Sequence, residues 1–391
     1  MLYRNMEKTG DDLSILGFGC MRYPRKNGRV DFERTKKQII SAIEGGINYF
    51  DTAYMYPRSE EVLGRILKEK YRNKVKIATK LRLLNLKSRE DINKIFEKQL
   101  KRLQTDYIDY YMLHNLQAED WDNLKSIGVL SFIKEEQDKG RIINIGFSFH
   151  GNVLNFKKLV DAYSWDFCMI QYNYLDENYQ AGIEGLEYAR SKSLGIIAME
   201  PLRGGMLVNK LPESAKKIIE NFNIKKSPAE WALRWLWDNP NIHVVLSGMN
   251  DEENIKENIA IASEVKAGSL TNEEKEMINK VKEEFHKQIK IDCTACGYCL
   301  PCPNGVDIPM AFSALNDKSI FGGLQVSIQY LMAVMDNDSL ASKCTECGVC
   351  EKKCPQDIAI MDNLKLSKST FEKWYLKLMT NIVKTVMARL L

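Results

Sequence analysis

Eight of the ten cysteines fall after residue 290, in two groups of four. The first group reads Cys293-x2-Cys296-x2-Cys299-x2-Cys302-Pro303, the second Cys344-x2-Cys347-x2-Cys350-x3-Cys354-Pro355. Three thiolates at such short intervals can enclose three corners of an iron–sulfur cube within one turn-rich loop. The fourth corner then comes from a distant Cys-Pro thiolate, so each group completes the other's cluster. On that reading Cys293, Cys296, Cys299 and Cys354 hold one [4Fe-4S] cluster, and Cys344, Cys347, Cys350 and Cys302 hold a second. Two zinc sites of four thiolates each could be drawn from the same residues, although zinc ribbons present cysteines in pairs. Disulfides fit worst, since nothing else in the chain has a secreted character.

A second set of residues suits proton transfer. Asp51 and Tyr56 bound the run Asp51-Thr52-Ala53-Tyr54-Met55-Tyr56. Lys80 closes Ile77-Ala78-Thr79-Lys80, and His114 closes Tyr110-Tyr111-Met112-Leu113-His114. Carbonyl reduction needs a proton donor beside the hydride acceptor. A buried cation would lower a tyrosine's pKa, and a carboxylate would hold that cation in place. Singly, each residue has a plainer reading: a satisfied carboxylate, its salt-bridge partner, a core histidine. Four of them at the ends of consecutive apolar runs argue for a site.

The elements that must position these residues repeat. Strand patterns occur at 14–21, 48–53, 75–81, 108–114, 142–149, 167–173, 195–202 and 243–249, with amphipathic helices between them, for example 32–44, 89–103, 182–191 and 228–238. Eight βα units predict an α/β fold, a closed (β/α)8 TIM barrel, over the open doubly wound sheet. The C-terminal strand ends then face one mouth, which receives Asp51, Lys80, His114, Ser148, Gln171 and Met199. Thr271-x-x-Glu274 predicts a capped, charged helix running to about Lys290. The expected organisation is a barrel over 1–262, a helical connector over 263–290, a small helical cluster domain over 291–363, and a basic amphipathic helix over 364–391.

Over residues 10–262 the sequence resembles the aldo/keto reductase family. The resemblance implies Tyr56 as general acid, Lys80 as its pKa partner, Asp51 as counter-ion and His114 as the donor that orients the substrate oxygen. It also implies a nicotinamide dinucleotide, NAD(H) or NADP(H), held by Gly19, Cys20, Met21, Ser148, Gln171, Met199, Leu202, Gly248, Glu257 and Asn258. Phe149 stands where an asparagine is usual, and Met199 where a stacking aromatic is common. Gly248, Met249 and Asn254 stand where NADP-preferring members place Lys, Ser and Arg. Without a cationic fork, and beside Asp251, Glu252 and Glu253, the expectation is NAD(H) preference or little discrimination; Arg203 is the basic residue that could reach the same space. The C-terminal cysteines resemble α-helical ferredoxins, with two residues before Cys302 where three are usual. The whole chain resembles the family's branch with a C-terminal ferredoxin-like domain.

The function implied is an oxidoreductase interconverting a small carbonyl and an alcohol, coupled to electron transfer. A nicotinamide moves a hydride while each cluster takes one electron, so a flavin at the barrel mouth is one way to split the pair. The alternative class is an electron-transfer or docking module for a redox partner protein, its barrel no longer using a dinucleotide. Composition fits a soluble globular protein, 45% hydrophobic and 28% charged, and the net charge of +4 is too small to argue for nucleic acid. The first residues lack a signal peptide's apolar core, so a reducing cytoplasm is expected. From Leu364 onward six basic residues face one acidic residue. Phe371, Trp374, Tyr375, Leu378, Met379, Ile382, Val383, Val386, Met387 and Leu390 repeat at helical spacing there. Packing on protein is favoured over a membrane surface for that stripe. Cys20 and Cys168 read as small buried hydrophobes. Oligomeric state leaves no mark in the sequence.

Overall fold

The structure, a computed structural model, describes residues 1–68, 70–293, 295, 297–354 and 356–390, with side chains through Val386. Cys296, Pro355 and the far end of the tail stripe (Met387, Leu390) therefore lie outside what is described of side chains.

The apolar runs form eight parallel strands: Leu16–Gly19, Tyr49–Asp51, Lys76–Leu81, Ile108–Leu113, Ile142–Phe149, Phe167–Gln171, Gly195–Met199 and Val244–Ser247. Each pairs with the next in the chain, and the eighth pairs with the first, Leu246 opposite Gly17, so the barrel is closed. Side chains alternate across the strands, because the strand period is two. Tyr49, Ala78, Tyr110, Met112, Phe167, Met169, Ile197 and Val244 fill the interior. Phe50, Ile77, Tyr111, Leu113, Cys168, Ile170 and Val245 point outward and pack with the helices. The filled interior is a core and not a pore.

Helices Phe32–Glu44, Arg89–Leu103, Gly182–Ser191 and Pro228–Asp238 match the amphipathic patterns. Their starts are chemically marked. The Ser88 hydroxyl accepts from the Asp91 amide while Asp91 bonds back to the Ser88 amide, and the Ser227 hydroxyl accepts from the Glu230 amide at 3.0 Å. The Thr271–Glu274 capping box forms as read, with reciprocal bonds of 3.0 and 3.2 Å, but its helix, Asn272–His286, stops short of Lys290. An N-terminal hairpin, Tyr3–Met6 with Asp11–Ser14, was not legible as strands; it sends Met6 and Leu13 into the barrel's inner cluster.

The chain divides into two compact units, 1–207 with 226–275, and 208–225 with 276–390. The second unit holds helices Ile308–Phe321, Gly323–Met335, Ile360–Phe371 and Trp374–Leu390 around Phe312, Leu315, Tyr330, Leu331, Val334, Leu364 and Phe371. Its short segment 208–225 contributes helix Glu213–Asn221. The C-terminal stretch is two helices where one over 364–391 was expected. Glu372 breaks it, because its buried carboxylate turns inward to accept from the Ser342 amide at 2.8 Å and to pair with Lys377 at 2.9 Å. The last helix buries Leu376 and Thr380 and leaves Trp374, Leu378, Ile382 and Val386 exposed. Among the described residues no helix is long and apolar enough to cross a membrane.

Candidate active site

Asp51 ends the second strand, Lys80 lies in the third, and His114 follows the fourth, so strand pairing alone sets them side by side. The Lys80 ammonium nitrogen lies 2.6 Å from both carboxylate oxygens of Asp51 and 2.9 Å from the Thr52 carbonyl. Burial pulls the Lys80 pKa down, but Asp51 more than restores it, holding the ammonium above the ordinary lysine range. Tyr56 is half-buried at the loop after the second strand. Its ring centre is 5.2 Å from the Lys80 nitrogen, and its ring meets His114 edge-on at 6.3 Å.

Burial raises the Tyr56 hydroxyl above the usual tyrosine value, Lys80 opposing and Asp51 adding to the rise. The expected lowering by Lys80 is therefore outweighed, chiefly by burial, with Asp51 adding to the rise. Burial and the nearby Lys80 drive His114 down to about 3, so its imidazole is neutral at ordinary pH and carries one N–H to donate. The arrangement provides a phenolic proton beside a fixed cation, with a neutral imidazole across from it.

The other expected mouth residues divide. The Ser148 hydroxyl accepts from the Asn115 amide at 2.8 Å, bracing the turn after His114. Gln171 donates to Asp176 at 2.8 Å, and Met199 packs on the top of the inner cluster. Gly19 ends the first strand and Met21 is exposed, while the Cys20 side chain is sealed in the outer core, where burial pushes its thiol up to about 12. Leu202 precedes the turn at Gly204, and Gly248 is exposed at the end of the eighth strand. Glu257 and Asn258 are not brought together. Glu257 is exposed and accepts from Ser227 at 2.6 Å, whereas Asn258 is buried and donates to Ser247 at 3.2 Å. Met249 is buried.

In the second unit Cys293, Cys299 and Cys354 line one open cavity, closed on its apolar side by Ile308, Phe312 and Ile360. The first motif's last turn lies against the second motif. Asn304 donates to Thr345 at 2.8 Å, and the Lys343 ammonium would be 3.8 Å from a Cβ placed at Gly305. Cys302 and Cys344 thus leave from neighbouring stretches of chain. The Glu346 amide donates to the Cys344 sulfur at 3.4 Å, Cys350 is buried and Cys347 is exposed.

Residues 15–283 match the aldo/keto reductase family, and residues 292–359 match a 4Fe-4S dicluster domain. The chain belongs to the aldo/keto reductase family. This aldo/keto reductase is an oxidoreductase that carries a C-terminal 4Fe-4S dicluster domain, and the match favours iron–sulfur over zinc for its cysteines. It is 28% identical to the uncharacterized oxidoreductase YqkF of Bacillus subtilis (strain 168), over 73% of this chain and 99% of that protein. It is 27% identical to the L-galactose dehydrogenase of Arabidopsis thaliana, over 69% and 91%. The solved holo form of aldo-keto reductase AKR11C1 from Bacillus halodurans superposes with a TM-score of 0.59 at 26% identity, covering 72% of this chain and 96% of that one.

Two features of this reductase escaped the sequence reading. Glu60 is buried behind the site, where it accepts from Thr79 and Gln99 at 2.8 Å each and from Arg102 at 3.2 Å. It ties the loop bearing Tyr56 to the strand bearing Lys80. Arg203, the basic residue that could have reached the phosphate space, is buried with its Nε 3.0 Å from Asp176. Arg22 instead reaches the mouth. Only its place directly after the first strand could have signalled this.

Proposed function

We propose that this reductase interconverts a small carbonyl compound and its alcohol at Tyr56, Lys80, Asp51 and His114. The observation that carries the reading is the buried Lys80–Asp51 pair set beside the Tyr56 ring, which meets His114 edge-on. Tyr56 gives its hydroxyl proton to the substrate oxygen. Lys80 stabilises the phenolate left behind, Asp51 keeps Lys80 charged and in place, and His114 donates its N–H to the same oxygen.

The mouth suits a nicotinamide dinucleotide. Gly204 and Gly248 are exposed without side chains at the ends of the seventh and eighth strands, leaving bare backbone for a ligand. Ser148, Gln171, Met199, Leu202 and Gly248 are the residues that would hold it, and when bound it supplies the hydride. In the cysteine-rich unit one cluster would be held by Cys293, Cys296, Cys299 and Cys354. The other would be held by Cys344, Cys347, Cys350 and Cys302. Cys354 lining the cavity of Cys293 and Cys299 supports that exchange, and the thiolate set supplies four soft ligands to each group. When bound, the two clusters would supply one-electron chemistry, each carrying one electron at a time.

Turnover of 4-nitrobenzaldehyde with NADH and with NADPH, for the anaerobically purified wild type and for Lys80→Met, tests the site. Activity in the wild type and a loss of at least a hundredfold in the variant is the expected result. Equal activity in both would rule out the tetrad.

A further inference from the structure

Arg22 lies across the barrel mouth over two glycines. A Cβ at Gly204 would stand 3.0 Å from both terminal guanidinium nitrogens and 3.4 Å from their shared carbon. A Cβ at Gly248 would stand 3.8 Å from Arg22 Cδ. The stem therefore passes Gly248, and the planar head rests against Gly204.

Little holds that head in place. Its ion-pair partner among the described residues is Glu200 at 3.9 Å, beyond hydrogen-bond range, and each side chain is 39% exposed. Arg203, on the same loop, is buried against Asp176 and occupied there. The loop is also held in a costly shape: Glu200, Arg203, Gly204 and Gly205 all have positive φ, at 53°, 45°, 66° and 90°. Non-glycine residues in that region persist only where the surroundings enforce them, and such strain concentrates at ligand sites. The acidic residues beyond the eighth strand are partly neutralised, since Arg34 pairs with Glu252 at 2.5 Å and Asp251 at 3.3 Å. A loosely held planar fork above bare backbone suits a phosphate, which accepts two parallel N–H bonds.

We infer that Arg22, with Gly204 and Gly248, forms a phosphate-binding subsite at the barrel mouth that holds a phosphate of the dinucleotide. The inference rests on the nicotinamide reading above and goes beyond it by assigning the cation. Two phosphates share this chemistry, the bridging diphosphate of either dinucleotide and the 2′-phosphate of NADP(H).

Dissociation constants for NADH and NADPH, measured on the cluster-loaded wild type and Arg22→Met at one ionic strength, separate them. Methionine keeps an apolar stem and removes the charge. A loss of about tenfold or more for both ligands assigns the diphosphate; a loss confined to NADPH assigns the 2′-phosphate. Unchanged affinity for both overturns the subsite. Should the wild type bind neither dinucleotide, the nicotinamide reading falls, and titration with inorganic pyrophosphate judges the subsite alone. Pyrophosphate binding that disappears in Arg22→Met upholds it, and no binding, or equal binding in both proteins, overturns it.

Discussion

Lys80 directs its ammonium nitrogen at both oxygens of Asp51, 2.6 Å from each, and the two side chains are only 2% and 5% exposed. A buried pair of this kind contributes little to stability as a whole, but breaking it leaves a charge with no partner. The pair is better understood as a means of keeping one cation fixed beside Tyr56.

Asp51→Asn should therefore destabilise the barrel by about 3–5 kcal/mol at pH 7. Lys80 would then be buried without a counter-ion, and its pKa would fall below that of the unfolded chain. Stability lost through such a group is regained as pH rises, because the unfolded state binds the extra proton. The melting deficit of the variant against wild type should be smaller at pH 9 than at pH 7. An equal deficit at both values would mean that Lys80 is not carrying an uncompensated charge.

Two neutral histidines set an acid limit. His114 is driven down to about 3, and His243 to about 4 by burial and by Arg190 and Arg4; its Nδ1 accepts from the Ile196 amide at 3.0 Å. Unfolded, both would titrate near 6.5, so between about 6.5 and 4 the unfolded chain binds protons that the native barrel refuses. Stability should fall as pH drops through that window. His243→Gln, which cannot take up a proton, should flatten the dependence of melting temperature on pH, and an unaltered slope would count against a neutral buried His243.

Cys354 shares a cavity with Cys293 and Cys299. Cys354→Ala should accordingly reproduce the electron paramagnetic resonance signature of Cys293→Ala, with one cluster damaged and the other intact. If its spectrum instead matches that of Cys344→Ala, each cysteine group holds its own cluster.

The barrel strands and the four helices singled out were legible because burial imposes a local period, two along strands and 3.6 along helices. Asp51, Lys80 and His114 were legible for the same reason, since strand ends fix the mouth. What escaped depends on contacts between residues distant in the chain. Glu372 breaks the tail helix by bonding Ser342, and Asn258 is buried with its amide donating to Ser247. Segment 208–225 joins the second unit, where Ser214 bonds Glu284. Arg22 is one basic side chain among fifty-six, without a periodic neighbour to mark it. The short, polar strands of the N-terminal hairpin carry too few apolar residues for alternation to show.

The proton source is the most direct test of the site. Tyr56→Phe removes one oxygen and leaves the Lys80–Asp51 pair and the edge-on contact with His114 in place. Single-turnover reduction of 4-nitrobenzaldehyde by the dinucleotide-loaded protein should slow by about 10²–10⁴-fold, while the dissociation constant of the dinucleotide stays at the wild-type value. A wild-type rate in Tyr56→Phe would contradict Tyr56 as the proton donor and the carbonyl–alcohol chemistry assigned to this barrel.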